Sequence, residues 1–216
     1  MKNIKIGRMV LGAFQTNCYY VYQEGNANEQ GRCPALIIDP AERGAGIFEA
    51  MEQKGFQIEG ILLTHGHVDH IYGVAELAKL SSAKVYACDK EADVLKDTEL
   101  NLSAQFGMPC KAKADEWLSD GQTIQLAGMH IQVLYTPGHT EGGCCYYFPE
   151  GGFVVSGDTL FDGSVGRTDF PTGSMSTLVR SIKKKLFELP DKTVVYPGHG
   201  GSTTIDWEKQ NNPFVV

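Results

Sequence analysis

Short apolar runs alternate along the chain with polar, glycine-marked segments, and their spacing predicts strands interrupted by helices. Cys18-Tyr19-Tyr20-Val21-Tyr22 reads as a strand. Residues 23–33 are polar, contain Gly25 and Gly31, and predict a hairpin loop. Ala35-Leu36-Ile37-Ile38 is a second strand, closed by Asp39-Pro40. Residues 43–54 put Ile47, Phe48 and Met51 on one side of a helix. Ile58 to Leu63 is almost continuously apolar, as in a strand buried on both faces. From Asp69 to Leu80, the residues Ile71, Val74, Leu77, Ala78 and Leu80 recur at helical spacing.

Val85-Tyr86-Ala87 predicts another strand, and the charged stretch 88–105 reads as mostly helical. Gly121 to Val133 reads as turns and strands around Ile124-Gln125-Leu126 and His130-Ile131-Gln132-Val133-Leu134. Cys144 to Phe148 and Phe153 to Ser156 are further strands. The segment 159–174, with Gly163, Gly166, Gly173 and Pro171, predicts a long loop. Residues 176–189 form a helix with a basic face, and Thr193 to Tyr196 is the last clear strand. Strands paired by turns, then interrupted by helices, occur in two rounds. The expectation is an α+β fold, two sheets packed together with outer helices, in one domain over residues 1–216.

Composition narrows the function. The net charge of −7 is no basic nucleic-acid footprint. No apolar stretch approaches the roughly 20 residues that span a bilayer. Lys2, Lys5 and Arg8 precede an apolar run that soon meets Gln15, Thr16 and Asn17, a poor signal-peptide core. The expectation is a cytoplasmic protein without nucleic-acid or membrane partners. Six cysteines form no CxxC pair and are read as free thiols. Cys144 and Cys145, adjacent in a strand, point to opposite faces.

The candidate chemistry lies where apolar runs stop. Thr64-His65-Gly66-His67-Val68-Asp69-His70 is one such place. Thr136-Pro137-Gly138-His139-Thr140, Ser156-Gly157-Asp158-Thr159 and Tyr196-Pro197-Gly198-His199-Gly200 are the others. His65 and His67, one residue apart on an extended loop, reach one metal together with His139. Asp69, His70 and His199 serve a second, and Asp158, with two carboxylate oxygens, bridges. A set of imidazoles and carboxylates without cysteine or methionine suits zinc, iron or manganese. Two such ions hold a hydroxide nucleophile and polarise a carbonyl. Asp69 is the candidate to orient that nucleophile. Asp158 also suits a turn or helix cap, and His199 a C-terminal turn. His130, outside every motif, is read as hydrogen-bonded in the core or exposed.

These motifs, with Gly157-Asp158-Thr159-Leu160-Phe161, closely resemble those of the metallo-beta-lactamase fold hydrolases. The resemblance runs from about Leu11 to Phe214 and implies a four-layer αββα sandwich with the metals at one rim. Gly163-Ser164-Val165-Gly166-Arg167-Thr168-Asp169-Phe170-Pro171 is similar to the short bacterial members of the glyoxalase II, or hydroxyacylglutathione hydrolase, group. So is the ending with Thr203-Thr204-Ile205, Glu208 and Asn212-Pro213-Phe214. That group implies two metals, usually zinc and sometimes iron or manganese, and hydrolysis of S-D-lactoylglutathione. The C-terminal helical domain of full-length glyoxalase II, which supplies much of its glutathione surface, is not expected here.

The reading is therefore a binuclear thioester hydrolase acting on a small-molecule thioester, as a monomer or small homo-oligomer. Its rivals are a mononuclear-iron persulfide dioxygenase, a lactonase, beta-lactamase or nuclease of the same fold, and a non-catalytic metal-stabilised binding protein. Arg167 either binds a substrate carboxylate or ties the 159–174 loop to the domain. Lys183, Lys184 and Lys185 are read as a solvated helix face, and Tyr19, Tyr20, Tyr22, Tyr146 and Tyr147 as packed in or beside the sheets. Phe14 and Phe161 either line the substrate entrance or pack in the core.

Overall fold

The computed structural model describes residues 3–215; Lys2 falls outside them. The first half of the chain builds one six-stranded sheet. Its elements are β1 (Ile4–Leu11), β2 (Thr16–Gln23), β3 (Cys33–Ile38), α1 (Gly44–Gln53), β4 (Phe56–Leu62), α2 (Val68–Ile71), α3 (Val74–Ser81), β5 (Lys84–Cys88), α4 (Ala92–Lys96) and β6 (Glu116–Leu118). Strands follow in chain order across the sheet. The β1–β2 and β2–β3 pairs are antiparallel, and the β3–β4, β4–β5 and β5–β6 pairs are parallel.

The second half supplies β7 (Thr123–Leu126), β8 (Met129–Tyr135), β9 (Cys144–Phe148), β10 (Phe153–Gly157), β11 (Leu160–Phe161), β12 (Ser164–Val165), α5 (Met175–Ser181), β13 (Val194–Pro197), β14 (Thr203–Thr204) and α6 (Ile205–Asn211). Its sheet runs β14-β13-β10-β9-β8-β7. Among the described residues only β10 and β13 pair in parallel there, so both strands end at the same rim.

The period-2 alternation of the strands decides which core each side chain joins. Leu36, Ile38, Met129, Ile131, Val133, Tyr146, Phe148 and Val155 pack between the sheets. Ala35, Ile37, Ile61 and Leu63 face the other way, onto Ile47 and Met51 of α1 and Val74 and Leu77 of α3. On the opposite outside, Cys145, Val154 and Val195 meet Leu178 of α5 and Ile205 of α6. Cys144 joins the central core and Cys145 the outer one, so the neighbours do point to opposite faces. The result is the four-layer αββα sandwich.

Several elements differ from the hydrophobic pattern. The predicted helix 69–80 is two helices, broken at Tyr72-Gly73, where the Gly73 N–H leaves the helix to bond Pro40 O at 2.9 Å. The stretch 88–105 is helical only as a 3-10 turn at Asp89–Glu91 and the short α4. Beyond it, Asp97 accepts from the Glu99 and Leu100 N–H groups, and Asn101 from Ser103 N–H. Such side-chain bonds compete with helical ones and make turns. The loop 159–174 contains the two-stranded ribbon β11–β12. The helix 176–189 starts at Ser174, whose side chain caps Thr177 N–H, and passes after Ser181 into one widened π turn, Ile182–Leu186. The Lys183 and Lys184 side chains are exposed, and Lys185 pairs with Asp120 at 2.6 Å. Strands β1, β6 and β14 are not predicted by the pattern. In β1 only Ile4 is buried, so its alternation is weak.

Candidate metal centre

Each sequence motif follows a strand end. The 64–70 loop follows β4, His139 follows β8, Asp158 follows β10 and His199 follows β13. Both halves of the sandwich therefore contribute to one rim. Main-chain bonds stitch the halves there: Cys144 N–H donates to Thr64 O at 2.8 Å and Asn17 N–H to Gly198 O at 2.7 Å. The Tyr19 hydroxyl donates to Pro197 O at 2.7 Å and the Tyr146 hydroxyl to Leu63 O at 2.8 Å. Gly198 is required by close approach, since a Cβ there would overlap Asp158 Oδ1 and the His70 ring.

All seven sequence-predicted residues meet at this rim. His65, His67 and His139 form one buried group, and Asp69, His70 and His199 a second; within each, the candidate ligand atoms lie within 4.8 Å of one another. His67 Nδ1 stands 2.9 Å from His139 Nε2. Asp158 touches both groups. Its Oδ1 is 3.4 Å from His70 Nε2, and its Oδ2 is 3.6 Å from His139 Nε2 and 3.4 Å from His199 Nε2. Asp69 Oδ2 lies 3.5 Å from His70 Nε2 and 3.3 Å from His199 Nε2, and accepts from the Thr16 hydroxyl at 2.9 Å.

Most of these rings are held from behind through Nδ1. His139 donates to Arg167 O at 2.6 Å, His70 pairs with Asp39 Oδ2 at 2.9 Å, and His199 donates to Phe14 O at 3.2 Å. His65 Nδ1 contacts the Thr64 hydroxyl at 3.1 Å. An N–H fixed on the far side leaves the Nε2 lone pair for a ligand, the usual outer support of a metal-binding imidazole. His65 Nε2, His67 Nε2, His70 Nε2 and Asp158 Oδ1 are buried without a hydrogen-bond partner. Buried polar atoms are ordinarily satisfied, and cations at the two groups would satisfy His65 Nε2, His70 Nε2 and Asp158 Oδ1, while His67 faces His139 through Nδ1. The residues thus fit divalent metal.

The electrostatics of the two groups differ. Burial and neighbouring imidazoles hold His65 well below its ordinary value and His67 down at about 3, and burial lowers His139. All three are neutral at pH 7. Burial also opposes charge on His70, but Asp69, Asp158 and Asp39 outweigh it and raise that ring well above its usual value. His199 is pushed up to about 9: burial is outweighed by bonds to Asp158 and Asp69. Burial raises both carboxylates, yet His70 and its neighbours win, bringing Asp69 to about 2 and Asp158 well below the carboxylate range.

A family profile described as the metallo-beta-lactamase superfamily matches residues 11–199. The chain belongs to the metallo-beta-lactamase superfamily. It is 36% identical to a probable metallo-hydrolase, YqgX, of Bacillus subtilis, with 98% of each chain covered. It is 32% identical to the hydroxyacylglutathione hydrolase GloC of Haemophilus influenzae, with 94% of each covered. Among solved structures, it is similar to the BLEG-1 B3 metallo-beta-lactamase, at TM-score 0.89 and 35% identity, covering 98% of this chain and 100% of that one. It is also similar to TTHA1623 in a di-iron-bound form, at TM-score 0.83 and 34% identity, covering 96% and 99%. Superfamily, fold and clustered ligands together support a metal-dependent hydrolase.

Next to the metallo-beta-lactamase-type cluster opens a cavity of about 260 Å³, walled by Phe14, Leu102, Phe106, Phe161 and Phe170 and floored by His67, Asp69, His139, Asp158 and His199. Phe14 and Phe161 thus line the cavity beside the cluster. Arg167 also lines it, but its guanidinium is bonded to Asp169 at 2.8 and 3.0 Å and lies 4.2 Å over the Phe170 ring. Its main-chain oxygen, not its charge, is what touches a candidate ligand. His130 sits apart on β8, exposed and 2.9 Å from Glu150. Among the described residues no helix is long and apolar enough to cross a membrane.

Sequence reasoning missed two supporting acids. Asp39, at a left-handed φ of 53°, accepts from Thr64 N–H at 2.8 Å, the Thr64 hydroxyl at 2.6 Å and His70. It forms a third possible group with His65 and His70. Both of its oxygens are already taken by these donors, so it backs the candidate ligands. Glu91, in the stretch read as helical, is buried beside the 64–70 loop. Burial pushes it up to about 7 against the pull of its hydrogen bonds. A strand-ending Asp-Pro and one acid among many charges gave no signal in the sequence.

Proposed function

We propose that the chain is a binuclear metal-dependent thioester hydrolase acting on S-D-lactoylglutathione or a related small acyl thioester. In this reading His65, His67 and His139 would hold one ion and Asp69, His70 and His199 the other, with Asp158 available to both. The carrying observation is Asp158, whose two oxygens lie 3.4–3.6 Å from imidazole nitrogens of both groups. Bound divalent ions would supply a hydroxide nucleophile near neutral pH and polarise the acyl carbonyl. Zinc suits the donor set, and iron and manganese suit it too; the di-iron form of a similar structure supports a pair of ions.

The chain's own residues do the rest. Asp69, ionised and fixed at Oδ2 by the Thr16 hydroxyl, would help hold the second ion and orient the nucleophile beside it. The phenylalanine walls receive the acyl part and exclude bulk water. A thiolate leaves without a dedicated acid, and none is needed from the cavity wall. The named activity of the Haemophilus relative supports the thioester class. The whole chain, 1–216, acts as one hydrolase domain in this reading, and its six free cysteines suit a reducing, cytoplasmic setting. The likeness to a B3 metallo-beta-lactamase favours lactam hydrolysis as the second reading.

One metal-quantified preparation decides among these. kcat/KM is measured for lactoylglutathione, a simple acyl thioester, a lactone, a beta-lactam and glutathione persulfide. Thioesters are expected to lead. Lactam turnover without thioester cleavage would replace the proposal with the second reading, and oxygen uptake with persulfide alone would replace both.

A further inference from the structure

Glu91 lies between β5 and α4, outside every sequence motif, yet its side chain is buried. One carboxylate oxygen accepts a 2.7 Å bond from the Gly66 N–H, between His65 and His67. The other accepts a 3.0 Å bond from the Thr140 hydroxyl, next to His139. The Gly142 N–H donates to the same carboxylate. One acid therefore joins the two loops that carry His65, His67 and His139.

The approach is close on both sides. A Cβ on Gly142 would overlap the Glu91 main chain, and one on Gly66 would press on the Glu91 carboxylate and Val94. Burying a carboxylate is costly unless it is hydrogen-bonded. Donors from two separate loops offset that cost here, and only at one loop spacing do they all reach. An apolar side chain beside Val94 and Leu95 would fill the space without fixing the spacing. Glu208 gives an internal contrast. It is equally buried and accepts from Thr203, Asn212 and the Gly163 N–H, but it holds the β11–β12 ribbon to α6, and among the described residues these partners lie outside the 64–70 and 136–142 loops.

We infer that Glu91 is a positioning residue, a carboxylate clamp that sets the spacing of the His65/His67 and His139 loops and thereby the metal affinity of that imidazole group. The inference rests on reading the group as a metal site. What the clamp fixes is the convergence of His67 Nδ1 and His139 Nε2.

The test measures cobalt(II) affinity by chelator competition and the visible cobalt band, on the full chain carrying His199→Ala to weaken the second group. Melting temperatures of the metal-free forms are taken in parallel. Adding Glu91→Ala is expected to weaken binding roughly 10–100-fold, the usual cost of losing an outer partner, and to shift the band. Glu91→Gln keeps an acceptor for Gly66 while the Thr140 hydroxyl can turn to accept, so it recovers part of the loss. Glu208→Gln lowers the melting temperature with cobalt affinity unchanged. A lower melting temperature with unchanged affinity and band in the Glu91 variants would overturn the clamp. If Glu91→Ala does not fold, an unchanged affinity and band in Glu91→Gln does so alone. No cobalt binding by the wild-type chain would overturn the metal reading itself, and the clamp with it.

Discussion

The two ligand groups share a rim and an aspartate, yet the same residue type behaves oppositely in them. His67, among buried imidazoles, is pushed down to about 3, whereas His199, facing Asp69 and Asp158, is raised to about 9. The first group is sealed between loops. The second is more open, with the Asp69 and His199 side chains 18% and 30% exposed. Burial disfavours the imidazolium in both, and the number of carboxylates decides which effect wins. One group thus presents three neutral lone pairs. The other holds protons that a cation must displace.

The largest effect should come from the residue that erases the distinction. Asp158→Asn removes a charge from both groups, and turnover and metal retention should fall beyond the roughly 10–100-fold that outer partners cost. Assay and elemental analysis of one preparation check this; near-normal values in both would defeat the bridging role. Asp39→Asn acts unevenly: it strips His70 of a direct charged partner and reaches His65 only through Thr64. It removes the acid behind His70, so chelator competition should find the second group weakened by roughly 10–100-fold and the first much less. Equal losses would mean that the groups are not separable.

Protons sharpen the same contrast. His70 and His199 are raised, so at pH 7 the metal-free second group carries protons that binding must release. Its affinity should rise with pH toward about 9, roughly tenfold per unit for each proton released. His65, His67 and His139 are lowered and already neutral at pH 7, so the first group's affinity should stay flat from there upward, through the range in which the second group's rises. Titrations showing one common slope would contradict the assignment. The smallest effect belongs to His130→Ala. That exposed ring pairs with Glu150, and stability should change by about 0.5 kcal/mol or less, with metal content untouched.

What the sequence disclosed follows from where its signals are local. The His65–His70 block and the Pro-Gly-His turns concentrate chemistry in a few adjacent residues, so the seven that converge were recognisable before any fold was known. Continuously apolar strands, such as Ala35 to Ile38, declared that both of their faces are buried. β1 did not, because its side chains beyond Ile4 are half-buried or exposed. The break at Gly73 was hidden because its cause is Pro40, more than thirty residues away. Asp39 and Glu91 were hidden for the same reason. Each acts through partners distant in the chain, and neither residue type is unusual where it stands.

The central claim is that the rim holds two ions, one in each group. Elemental analysis of active protein, prepared without chelator and replete with metal, measures it directly. The account predicts about two equivalents of transition metal per chain. A reproducible single equivalent with full activity would contradict it.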